Sequence, residues 1–317
     1  QGKKINISEN RPALHIFMRS QLKSIFMEGK DVKKEMDFEH QKMEAFCKNV
    51  QSGSIRGATG KKFTDIVNIG IGGSQTGPEM IIKALKPFQA RLKIHFLSNI
   101  DPSDLVDVLE ELNPETTLFI VVSKSFKTLE TLNNAAFVEN WLRTRLEPVQ
   151  VIDNHFVAVS SNMRNVDNFP VSFKYVFKIH DFVGGRYSFG GSAGISVMLG
   201  LGVENFNNIL DGGYNMDQHF LDSELGNNLP VLLGLIGVWH SCFCKYPTLA
   251  IIPYEKRLEI FPKYIQQLQM ESNGKTLTKD GINVPGFFSP IVWGDTGTNC
   301  QHSFFQYLHQ GLLTIPS

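Results

Sequence analysis

The sequence predicts an α/β protein built on parallel sheets with helices packed on both faces. Three observations carry this. First, short runs such as Thr117-Leu118-Phe119-Ile120-Val121-Val122 are apolar at every position, the pattern of a strand covered on both sides. Second, these runs alternate with stretches of helical periodicity, which implies crossover connections and therefore parallel pairing with right-handed crossovers. Third, 317 residues with 42% hydrophobic, 11% aromatic and 20% charged side chains make an ordinary globular composition. A chain of that length buries a sizeable core without disulfides or metals.

The elements follow in order. Arg11 to Met27 reads as a helix, with Leu14, Phe17, Met18, Leu22 and Phe26 near helical spacing, and Asp31 to Lys48 as a second, more charged one. A Gly/Ser-rich break at Gly53 to Gly60 precedes the α/β alternation. Strands are expected at 65–69, 93–97, 117–122, 155–159 and 175–179. Helices are expected at 77–88, 102–112 and 128–146 between them. A helical stretch runs from about Gly194 to Cys244. A second, shorter α/β unit follows: strand 249–252, helix 255–270, strand 291–293 and helix 301–312, with a further strand starting at 313–315. The expected organisation is a helical segment over 1–55, a first α/β domain over 56–202, connecting helices over 203–247, and an incomplete second domain over 248–317.

Charge and cysteines exclude several classes. Thirty-one basic and 31 acidic residues cancel, so the chain has no global footprint for nucleic acid or an anionic membrane. The four cysteines lack zinc spacing, and Cys242 and Cys244 lie too close for easy bridging, which suits a reduced, cytoplasmic protein. No apolar run reaches the ~18–20 residues of a bilayer span. The first residue is not Met and the last follow an apolar run, so a fragment is expected.

In open parallel sheets, ligands bind beyond the carboxyl ends of the strands. Gly70-Ile71-Gly72-Gly73-Ser74 leaves a strand and enters a helix there. Such glycines let backbone N–H groups approach an anion, although for this loop taken alone a plain turn capped by Ser74 is the stronger reading. Position six of a dinucleotide fingerprint would be Gln75, so that ligand is not implied. Ser123-Lys124-Ser125-Phe126-Lys127-Thr128 follows the strongest strand with hydroxyls, ammonium groups and a helix start. That set suits a phosphate monoester, although a capped helix with solvated lysines has the same letters. Gly184-Gly185-Arg186 puts a permanent cation beside flexible backbone, where it can stabilise an oxyanion or sit in a structural ion pair. Gln267 and Glu271 lie four apart at a helix end; a carboxylate so placed can serve as a general base, although an isolated Glu there is more often simply exposed. His302 and His309 fall on one face of the last helix without a metal-ligand partner at i+3 or i+4. Gly190-Gly191-Ser192-Ala193-Gly194 has the letters of a nucleophile elbow, but a Gly-rich loop precedes it instead of a strand.

Taken together these motifs resemble the glucose-6-phosphate isomerase family, whose members carry two sugar-isomerase (SIS) domains. The resemblance rests on Asn68-Ile69-Gly70-Ile71-Gly72-Gly73-Ser74, Val122-Ser123-Lys124, Gly184-Gly185-Arg186-Tyr187-Ser188, Gln269-Met270-Glu271-Ser272-Asn273-Gly274-Lys275, Gly294-Asp295-Thr296-Gly297-Thr298-Asn299 and Gln301-His302-Ser303-Phe304, in the family's order. It implies two SIS-type three-layer α-β-α sandwiches, the second incomplete, and interconversion of glucose 6-phosphate and fructose 6-phosphate through an enediolate, without metal or redox cofactor. By motif position, it implies that Ser123, Lys124, Ser125 and Thr128 hold the phosphate and that Gly72, Gly73 and Ser74 line the sugar site. Gln267 binds sugar hydroxyls, Glu271 is the base and Arg186 stabilises the enediolate. His302, oriented by Glu130, opens the ring in the neighbouring subunit of a homodimer. The chain departs from the family at Cys300, where Gly is usual, and at Gly286-Phe287-Phe288-Ser289. It also ends before the family's C-terminal Lys block, so low activity of the 317 residues alone is expected.

Overall fold

A computed structural model of the chain describes residues 2–7, 9–147, 149–284 and 289–317. The departing residues Gly286 to Phe288 lie outside the described residues. The chain divides into two compact units, Gln1–Asp211 and Gly212–Ser317.

The first unit opens with an extended arm. Asn6 bridges Arg11, a single tight turn spans His15–Arg19, and strands β1 (Phe26–Met27) and β2 (Lys30–Asp31) form a hairpin. The helix expected over Arg11 to Met27 is therefore replaced by a wrap. Pro12 supplies no donor, and Ser20 turns the chain extended at ψ 136°. Leu14, Phe17, Met18 and Met27 instead pack on Ile25, Val32, Met36, Phe182 and Val183. Glu28 and Gly29, both at positive φ, make the hairpin turn. Helix α1 (Val32–Ser52) starts where Asp31 accepts from Lys33 N–H and stops at Gly53, φ 80°.

Strands β3 (Asp65–Ile69), β4 (Lys93–Leu97) and β5 (Thr117–Val122) match the residues expected of them, and β6 (Phe156–Ser160) and β7 (Tyr175–Lys178) shift by one or shorten. All pair in parallel in the order β4-β3-β5-β6-β7. Side chains alternate between two cores. Ile66, Leu118, Ile120 and Val157 meet α1, α2 (Thr76–Ala84) and α6 (Ile195–Leu201). Val67, Phe119, Val121 and Ala158 meet α3 (Pro102–Glu110) and α4 (Leu129–Arg143). This is the three-layer sandwich. Helix α5 (Met163–Asp167) follows β6, and α7 (Val203–Asp222) follows α6.

The outer edge of β7 is occupied by side chains of α1. The Lys178 N–H donates to the buried Glu39 carboxylate at 3.1 Å, and Lys42 Nζ donates to the Val176 carbonyl at 2.6 Å. At the opposite side of the sheet's middle, the chain leaves β3 for β4 and returns past it to β5. That reversal makes β3/β5 the topological switch point, the place where open α/β sheets generally bind their ligands.

Among the described residues, the second unit has one sheet of two parallel strands, β8 (Thr248–Ala250) and β9 (Ile291–Trp293). The strand expected at 313–315 is represented by one bond, Ala250 N–H to Pro316 carbonyl, 2.9 Å. Helix α8 (Leu229–Val238) begins with an Asn228 cap and continues into a wide turn at Trp239–Phe243. Helix α9 (Phe261–Gln266) widens likewise into a π turn at Gln267–Glu271. The helix expected at 301–312 is two, α10 (Gly297–Gln301) and α11 (Phe305–Gln310). The break falls at 302–304, where the Phe304 ring packs edge-on against Trp293 at 4.7 Å. His302 and His309 thus belong to different elements. Among the described residues, no helix is long and apolar enough to cross a membrane.

Candidate active site

The first unit brings three of the sequence-predicted loops together at the switch point. The glycine loop turns tightly because Gly72 sits at φ 60°, in the left-handed region. A Cβ on Gly73 would lie 2.4 Å from the Gly185 carbonyl carbon and oxygen and 2.5 Å from the Arg186 nitrogen. Only hydrogen fits, so the glycine loop lies directly against the backbone that carries Arg186. Ser188 Oγ donates to the Gly185 carbonyl at 2.6 Å and fixes the far side of that contact. The Arg186 guanidinium is partly exposed and lies 5.9 Å from the Tyr187 ring centre, and Tyr187 stacks on His15.

The loop after β5 forms a cradle. Ser123 Oγ and Thr128 Oγ1 lie 3.1 Å apart. Among the described residues, the N–H groups of Lys124, Ser125, Lys127 and Thr128 donate to no protein acceptor. Two pairs of free N–H groups beside hydroxyls, ahead of a 15-residue helix, suit an anion with several oxygens. Lys124 itself turns aside. Its ammonium donates to the Asp181 carbonyl at 3.4 Å and lies 3.8 Å from the Glu9 carboxylate. Burial, followed by the neighbouring Arg11 charge, pushes its pKa down against the pull of Glu9 and Asp181. Its backbone therefore faces the cradle while its side chain ties the cradle to the Asp181–Arg186 loop.

Asn68 opens the glycine-loop motif, and its motif position implies no role, although a polar residue inside an apolar strand is a readable signal. It is fully buried in β3, and its Nδ2 donates to the Ser74 carbonyl at 3.0 Å. It holds the end of the glycine loop to the strand that delivers it.

In the second unit, the expected shared face of Gln267 and Glu271 is present. Gln267 Nε2 donates to Glu271 Oε2 at 3.2 Å across the π turn. Lys275 Nζ donates to the Glu271 carbonyl at 2.9 Å, and Ser272 Oγ to the Leu268 carbonyl at 2.6 Å. The carboxylate is exposed. π turns are often found at functional sites, because one extra residue re-aims the side chains around it. His302 caps the end of α10 and is also exposed. Ser192 is 5% exposed and donates its hydroxyl proton to the Lys178 carbonyl at 2.8 Å. That proton holds a turn, and the nucleophile-elbow reading has no support.

The five-stranded parallel sheet between two helix layers, with the Ser123–Thr128 loop at the carboxyl end of β5, is an SIS-type three-layer α/β fold. A family model described as phosphoglucose isomerase matches residues 1–317, and the chain belongs to the phosphoglucose isomerase family. It is 48% identical over 316 residues to a glucose-6-phosphate isomerase of Mesorhizobium japonicum and 44% identical over 316 residues to that of Buchnera aphidicola, covering 99% of this chain and 58% of each relative. A crystal structure of a glucose-6-phosphate isomerase from Chlamydia trachomatis matches 97% of this chain and 58% of that one, with TM-score 0.86 and 36% identity. A hypothetical protein from Thermus thermophilus shares the fold at TM-score 0.72 and 24% identity, over 88% of this chain and 62% of that one. The chain thus spans less than two thirds of the length of these relatives.

Proposed function

We propose that this chain carries the greater part of the active site of an aldose–ketose isomerase that interconverts glucose 6-phosphate and fructose 6-phosphate. The observation that carries the reading is the Ser123–Thr128 cradle, with four unengaged N–H groups and two adjoining hydroxyls. A phosphate dianion matches it in charge and in number of acceptors. Ser123, Ser125, Thr128 and the backbone of Lys124 hold the phosphate. Gly72, Gly73 and Ser74 line the sugar, and Gln267 binds its hydroxyls. Glu271 takes the proton from C2 of the open-chain aldose, the electrons move onto the carbonyl oxygen, and the enediolate forms. A proton passes from O2 to O1 of the enediolate, the same carboxylic acid returns its proton to C1, and the electrons of the O2 oxyanion close the C2 carbonyl, giving the ketose. Arg186 offsets the charge on the enediolate oxygen. His302 serves ring opening in the neighbouring subunit of a homodimer, with Glu130 orienting it. A glycolytic, cytoplasmic setting fits this chemistry.

The test is a coupled assay of fructose 6-phosphate conversion, run on this chain and on a version extended to the relatives' length. The extended version is expected to turn over, and Glu271→Gln in it to lose about 10³-fold in kcat or more while still binding the sugar phosphate. Sugar-phosphate binding without turnover in the unsubstituted extended chain would replace the enzyme with a regulatory binding module.

A further inference from the structure

The phosphate cradle is held from behind by a segment that the proposed reaction does not use. At the end of β6, Ser160 Oγ donates to the Lys124 carbonyl at 3.0 Å, Ser161 Oγ at 2.8 Å and the Ser161 N–H at 3.0 Å. Three donors converge on one carbonyl. Next along, Asn165 Nδ2 donates to the Ser125 carbonyl at 2.9 Å. The segment is itself fixed, because Ser160 Oγ accepts from the Asn162 N–H at 3.0 Å and Asn162 Oδ1 from the Asn165 N–H at 3.1 Å.

A trans peptide carries its C=O and N–H in opposite directions. Pinning the Lys124 carbonyl toward Ser160 and Ser161 therefore turns the Ser125 N–H the other way, into the cradle. Pinning the Ser125 carbonyl turns the Phe126 N–H onto Ser123, whose Oγ it reaches at 3.1 Å and whose carbonyl at 3.2 Å. Ser123 Oγ then has an acceptor lone pair filled, and its proton is left for Thr128 or a bound oxyanion. This arrangement is not what the loop would choose alone. Phe126 sits at φ 51°, where a bulky side chain is strained. Its ring is held by the edges of Phe169 and Phe173 at 5.7 and 5.6 Å.

We propose that Ser160 and Ser161 are positioning residues for the phosphate cradle: their hydroxyls hold the Lys124 carbonyl so that the Ser125 N–H faces the ligand. They touch no substrate. The inference rests on the phosphate reading of Ser123–Thr128 given above, and the experiment separates the two.

The experiment is a titration of the chain with inorganic phosphate, followed by the backbone amide signals of Ser125 and Lys127 in 15N NMR. In the unsubstituted chain both signals move and saturate. In Ser160→Ala/Ser161→Ala the dissociation constant rises about 10-fold and the Ser125 shift is lost, whereas Ser161→Thr, which keeps a hydroxyl, stays within about twofold. A merely structural role would lower the melting temperature and leave the phosphate affinity and the Ser125 shift unchanged, which would overturn the inference alone. Absence of any phosphate response in the unsubstituted chain would overturn it together with the phosphate reading. If the double variant does not fold, Ser161→Ala decides, since the Ser161 N–H still holds the carbonyl. It should weaken binding about threefold, and unchanged affinity there counts against the proposal.

Discussion

The two units meet the same physical demand in different ways. In the first, every residue of β5 is buried and helices cover both faces of the sheet. Its candidate site is made largely of backbone: Gly73 against Gly185, free N–H groups of the cradle, and carbonyls pinned from behind. In the second, no residue of α8 is buried, and Leu233 is 70% exposed on a helix that is apolar all round. A helix of that composition is ordinarily a core helix. The candidate site residues there, Gln267, Glu271 and His302, are side chains on helix ends. The difference teaches that positions fixed by interlocking backbone depend on a complete sheet, whereas a carboxylate on a helix end needs only its own turn.

Amide hydrogen exchange would break or sharpen this contrast most directly. Protection in β5 is expected to exceed that in α8 by about 10³-fold or more, because local opening free energy follows buried contact. Equal protection in the two elements would abolish the distinction. Next in size is Gly73→Ala. Its Cβ forces the glycine loop and the Arg186 backbone apart, and about 10²-fold in kcat/KM is expected to be lost in the extended enzyme. In the second unit, Gln267→Glu leaves backbone in place but sets a second carboxylate against Glu271, so kcat as well as KM should change while the melting temperature of the first unit does not.

A smaller effect is expected from acid. His155 is fully buried; its Nδ1 lies 2.7 Å from the Thr117 carbonyl, and its Nε2 accepts from the Ala58 N–H at 2.8 Å. Burial holds its pKa below the ordinary value, and burial does the same for His180. The folded state therefore binds these protons less readily than the unfolded chain. The stabilisation is complete above the unfolded pKa of about 6.5 and is lost as pH falls from there through the folded values. Thermal unfolding of the first unit should drop over that range, with a shallower slope in His155→Gln. An identical slope would remove His155 from the account. The smallest change is Asp31→Ala, which removes the cap of α1 and should destabilise by about 1 kcal/mol, read from the denaturation midpoint.

Much of this was legible in the sequence, for a physical reason. A strand buried at every position needs a nearly unbroken apolar run, so β5 could be read residue by residue, and the shorter apolar cores of β3, β4 and β9 marked those strands as well. The arm at 11–27 could not. Its apolar spacing fits a helix, but the residues reach their core through a wrap that only tertiary contacts stabilise. The loops showed themselves through residue types that favour anions. Which N–H groups stay free depends on Ser160 and Ser161, 36 and 37 residues beyond the carbonyl they bind. The approach of Gly73 to Gly185 joins two motifs far apart in the chain, and no local pattern encodes it.

The closed edge of β7 also bears on self-association. A foreign strand can add to a sheet only where N–H and C=O groups stand unpaired. Glu39 and Lys42 occupy those of Lys178 and Val176, so addition there must first break two charged contacts. Strand β4, at the other end of the order, has no such guard in the hydrogen bonds described. The first unit thus shields one end of its sheet from a foreign strand with the charges of a single helix.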